Sequence, residues 1–144
     1  SYELLYRSGA GLTPRPLRRI ASGGELSRVM LASKVVLGNA DGVDTLVFDE
    51  VDAGVGGSTA RALAGVLADL AATHQVIVVT HLAQVAVMAD KHYVVSKEPG
   101  DVPQTKLDEV TGEARTAEIA RMLSGDQSEA SLAHAKQMLE EARG

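Results

Sequence analysis

The segments "DTLVFDE" at 44–50 and "HQVIVVTH" at 74–81 constrain the fold of this chain more than any other feature. Each is a continuous apolar run closed by ionisable residues, the pattern of a strand buried on both faces in a parallel sheet. Between them "STARALAGVLADLAAT" has helical periodicity. Strand, helix and strand make a βαβ unit with a right-handed crossover, and the expected class is α/β.

The remaining segments extend that unit. "YELLYRS" reads as a strand and "GAGLTPRPLRR" as a loop, because its glycines and prolines break regular structure. From Ser22, the apolar residues Leu26, Val29, Met30, Val36 and Leu37 recur near helical spacing until "GNADG" ends the pattern. "LAQVAVMAD" reads as a helix, "KHYVVSKE" as a third strand, and "PGDV" as a turn into the extended "PQTKLDEV". Two helices close the chain, at about 114–123 and 128–142, the second with Leu132, Ala135, Leu139 and Ala142 on one face. With 144 residues, 45% of them hydrophobic, a single domain over 1–144 is expected. Its parts are a strand and loop (1–21), a core (22–97), and a hairpin-like segment with C-terminal helices (98–144).

Composition narrows the function. There is no cysteine, hence no disulfide or thiolate metal site, which suits a reducing compartment and a cytoplasmic location. The first thirty residues carry Glu3, Arg7, Arg15, Arg18 and Arg19 without a long apolar run, so neither a signal peptide nor a membrane span is expected. A net charge of -5 and a pI near 5.3 argue against a broad nucleic-acid footprint, leaving Arg15, Arg18 and Arg19 as a local basic patch. One Phe, three Tyr and no Trp give no base-stacking platform.

Two features carry chemistry. Ser22 and Glu25 match a capping box, but that box does not require Gly23 and Gly24. A glycine pair at a helix start lets backbone N–H groups approach an anion, aided by the helix dipole and the serine hydroxyl, and so points to a phosphate. Secondly, Asp49 and Glu50 end one buried strand and His81 follows the next, so three ionisable groups reach the carboxyl ends of the strands, where α/β sheets bind ligands. Asp49 suits a Mg²⁺ ion that keeps several waters, Glu50 is placed to orient an attacking water, and His81 to bond a terminal phosphate. His74, His92 and His134 match no ligand spacing and read as surface or boundary residues.

"ASGGELSRVMLA" resembles the ABC-ATPase signature motif, "TLVFDEVDAG" the Walker B strand with its glutamate and D-loop, and "VVTHLAQVA" the His switch. With "VSKE…EIARMLSG…EASLAHAKQML", the chain is most similar to the C-terminal part of the ATPase head in the RecN family of SMC-like proteins. The resemblance implies the C-terminal lobe of an ABC-type head, with a mostly parallel sheet flanked by helices and ATP sandwiched between two heads during DNA double-strand-break repair. It implies that Ser22, Gly23, Gly24 and Glu25 meet ATP held by the opposite protomer, with Asp52 and Gly54 in the D-loop. Asp49 would then be linked to Mg²⁺, Glu50 would polarise water, and His81 would sense the γ-phosphate. The implied partners are an N-terminal phosphate-loop half, a second head, and DNA through the complete protein, with nucleoid association on DNA.

Two departures stand out. Gly56 occupies the place where many members of the family end the D-loop with aspartate, and no G-x-x-x-x-G-K-[ST] phosphate loop occurs. The chain alone is therefore expected to bind ATP weakly and not to turn it over. Two other readings remain: a non-catalytic dimerisation or docking module, and a DExD-type helicase fragment suggested by "DEVD".

Overall fold

A computed structural model describes residues 5–6, 15–16, 23–37, 44–102 and 104–144. In chain order the elements are β1 (Leu5–Tyr6), β2 (Arg15–Pro16), α1 (Gly23–Leu37), β3 (Thr45–Asp49), α2 (Gly57–Ala71) and β4 (Gln75–Val79), followed by α3 (Ala83–Ala86), β5 (His92–Glu98), β6 (Gln104–Val110), α4 (Gly112–Ser124) and α5 (Glu129–Arg143). They divide into two compact units, Ser1–Thr80 and His81–Gly144.

The first unit is built on the expected βαβ motif. β3 and β4 pair in parallel, Thr45 opposite Gln75 through Asp49 opposite Val79. α2 buries Ala60, Ala64, Leu67 and Leu70, a stripe at helical spacing. β1 and β2 pair antiparallel, so a two-residue strand stands within the stretch read as loop. Burial on both faces of the strands is not what the structure has. Phe48 is buried and Leu46, Val76 and Val78 are half-buried, but Val47, Ile77 and Val79 on the alternate face are 65, 46 and 54% exposed. Strand side chains alternate between faces, and among the described residues one face has cover. α1 departs similarly: Leu31 and Lys34 are buried, while Met30 and Val36, which the sequence reading put on its apolar face, are exposed.

His74 also differs from its reading as a surface or boundary residue. It is 8% exposed, with Nδ1 3.2 Å from the carbonyl oxygen of Leu70 and 2.9 Å from the hydroxyl of Thr73. The ring thereby ties the end of α2 to the start of β4.

The second unit packs α4 and α5 over α3. Ala83, Ala86, Val87, Ile119, Ala120 and Ala135 form its core, with Leu132, Leu139 and Ala142 against them, the face expected for the last helix. α3 is one turn, shorter than the segment 82–90 read as helix. Arg115 of α4 donates to the carbonyls of Ala86 (3.2 Å) and Ala89 (2.8 Å), satisfying the groups that a longer helix would have used itself. β5 and β6 pair antiparallel as a hairpin, from His92 opposite Val110 to Glu98 opposite Gln104. α4 stops at Gly125, whose φ of 76° allows its N–H to reach the carbonyl of Arg121 at 2.7 Å. The α/β class stands, with a short parallel component. Among the described residues no helix is long and apolar enough to cross a membrane.

Candidate functional site

The site grows from the carboxyl end of β3. Asp49 ends the strand and Glu50 follows, both exposed. Glu50 has φ 59°, the sole non-glycine residue in the left-handed region among those described. That conformation costs a residue with a Cβ about 1–2 kcal/mol, and it persists where the surroundings hold it. Its carbonyl accepts from the N–H of Ala53 at 3.0 Å and that of Asp52 from Val55 at 3.1 Å, closing two turns in succession. Val51 and Asp52 are buried within them.

α1 fixes this loop. Ser27 Oγ donates to the carbonyl of Asp49, and Arg28 Nη1 to those of Val51 (3.2 Å) and Ala53 (2.8 Å). A turn earlier, Gly24 is buried against the same loop: a Cβ there would stand 2.8 Å from both Ala53 Cβ and the carbonyl oxygen of Glu50. The missing side chain of Gly24 thus has an intramolecular purpose, close packing of helix on loop, beside the approach to an anion expected from sequence. On the other side Thr80, after β4, donates through Oγ1 to Asp52 Oδ2. Asp52, placed in the D-loop by the resemblance, is 1% exposed.

The structure therefore brings Gly24, Asp49, Glu50 and Asp52 together in the first unit, with Gly54 in the same loop at φ 73°. His81 is the exposed first residue of the second unit. Ser22, Arg18, Arg19 and the "GNADG" segment lie outside the described residues, as do the surroundings of Gly23 and the side chains of Glu25 and Arg15.

An exposed carboxylate at a strand end suits an ion that keeps water and phosphate oxygens in its shell. Among the described residues no group of three or more His, Asp or Glu side chains gathers to hold an ion by protein ligands alone. Asp49 is such a strand-end carboxylate. The first N–H groups of α1, lacking partners within the helix, are donors of the kind an anion accepts from.

No family model matches the chain. Proteins described as DNA repair protein RecN do. That of Treponema pallidum is 53% identical over 139 residues (95% of this chain), that of Deinococcus radiodurans 53% over 139 (94%), and that of Streptomyces coelicolor 50% over 143 (98%). The chain belongs to the RecN family. It spans about a quarter of the length of these relatives, 24, 24 and 25%, in their C-terminal part. A solved chain described under ATP-driven dimerization and DNA-stimulated activation of SMC ATPases shares the fold. Its TM-score is 0.51 at 22% identity, over 94% of this chain and 69% of that one.

Within this RecN segment, sequence reasoning missed Ser27, Arg28 and Thr80. Ser27 and Arg28 lie three and four residues after Gly24, on one helix face, a spacing that is itself a signal. The close contact at Gly24 yields a prediction. Gly24→Ala forces α1 and the loop apart and lowers stability by about 1–3 kcal/mol, the range for overpacking. Chemical denaturation measures it; an unchanged midpoint would show that the loop yields freely.

Proposed function

We propose that this chain is the signature and Walker B lobe of an ATP-binding and ATP-hydrolysing SMC-like head acting in recombinational repair of DNA double-strand breaks. The observation that carries this reading is the loop 49–53, pinned by α1 at the carboxyl end of a parallel strand with Glu50 held in a left-handed backbone conformation and exposed. The RecN relatives and the SMC-type fold supply the repair context.

Bound ATP with Mg²⁺ supplies the phosphoanhydride that is cleaved. Asp49 would hold the ion, which would draw charge from the phosphate oxygens, and Glu50 would orient and polarise the attacking water. His81 donates to the γ-phosphate. The α1 start, with Ser22, Gly23, Gly24 and Glu25, offers its amides and hydroxyl to ATP held by a second head. Asp52 acts from within, holding the loop through Thr80, and Gly54 lets the loop turn toward that second head. The phosphate loop comes from an N-terminal half of the same head, and DNA is engaged by the complete protein, in the cytoplasm at the nucleoid.

The test is assembly. Mixed with a phosphate-loop-bearing half, the chain should form a complex whose mass by light scattering doubles with ATP and not with ADP. The chain alone should bind ATP weakly and release no phosphate. A complex that binds ATP yet keeps its mass would overturn the sandwich, and phosphate release by the chain alone would overturn the need for a second half.

A further inference from the structure

We propose that Arg28 is a positioning residue for ATP hydrolysis, clamping the Glu50 loop onto the α1 start so that helix and loop move as one piece. The inference rests on the assignment of Glu50 made above and adds what holds it in place. Arg28 follows Gly24 by one turn, on the face of α1 that meets the loop. Nη1 of its part-buried guanidinium donates to two backbone carbonyls, those of Val51 and Ala53, on either side of Asp52. Ser27 holds the carbonyl of Asp49 in the same manner. Three carbonyls between 49 and 53 therefore depend on two consecutive side chains of one helix.

Glu50 lies inside that span, in a conformation that an unrestrained residue of its type leaves. Asp52, anchored to Thr80, restrains the loop from the β4 side, and Arg28 from the α1 side. In the proposed dimer, α1 meets one nucleotide and Glu50 serves another. A clamp between them lets engagement of the first set the geometry at the second.

The experiment compares unmodified protein, Arg28→Ala, Arg28→Lys and Ser27→Ala, each assembled with the phosphate-loop half. Arg28→Ala should lower kcat by about 10–100-fold, the scale of an ångström-sized misplacement, with KM for ATP within about twofold. Arg28→Lys, which keeps a cationic donor, should recover part of the rate, and Ser27→Ala should lose less than Arg28→Ala. Combined with Glu50→Gln, Arg28→Ala should add little further loss, since both act on one step. An unchanged kcat, a rise in KM alone, or a fully multiplicative double mutant overturns the proposal.

Hydrogen exchange separates this outcome from failure of the ATPase reading. The amides of Ala53 and Val55, which close the two turns, should exchange faster in Arg28→Ala whether or not ATP is hydrolysed. If the unmodified assembly turns over no ATP, the ATPase reading fails; equal exchange at Ala53 and Val55 then overturns the clamp as well.

Discussion

Glu50→Gln in the assembled head slows phosphate release by about 10²–10⁴-fold, the range lost with a general base, while ATP still draws two heads together. The amide matches the carboxylate in size and leaves the backbone at φ 59° undisturbed, so folding is preserved. What is lost is the negative charge that polarises the attacking water. Because hydrolysis is the step that separates the heads on the proposed reading, the variant accumulates as an ATP-bound dimer. Phosphate release and sedimentation in ATP read the two halves of this expectation separately. Turnover within about threefold of the unmodified protein would remove Glu50 from the chemistry. A slow variant that no longer pairs would mean that Glu50 serves assembly instead.

Ile119→Ala destabilises the second unit by about 2–5 kcal/mol. Ile119 is fully buried at 0% exposure, at the centre of a core made largely of alanines. The nearest core residues on α3 and α5, Ala83, Ala86 and Ala135, are too short to refill the vacated space, while Met122, Leu123, Leu132, Met138 and Leu139 around them can lean in only in part. Thermal melting followed by circular dichroism measures it, and a loss below about 1 kcal/mol would indicate that α4 and α5 collapse onto the gap.

The backbone of the site was legible because its signals are local. A continuous apolar run ended by Asp49 and Glu50, followed by a helix and a second run, suffices to place β3, α2, β4 and the acids at the strand's carboxyl end. The pairing of helix with loop was not legible, since Ser27 and Arg28 bond to carbonyls, and carbonyls carry no sequence identity. Gly24 stood out in the sequence, but its packing did not: approach to a ligand and close contact with Ala53 ask for the same residue, and the sequence does not show the second. The strands misled in a similar way. Apolar residues at Val47, Ile77 and Val79 promise cover on both faces, yet hydrophobicity does not say which polypeptide stretch supplies it. The burial of His74 was not legible because its bonds, to Leu70 and Thr73, are with immediate neighbours and involve no ligand-like spacing.

Among the described residues the row of Val47, Ile77 and Val79 stays in contact with water. Any segment that packs on it gains in proportion to the apolar area it removes from solvent, a gain that sulfate strengthens and urea weakens.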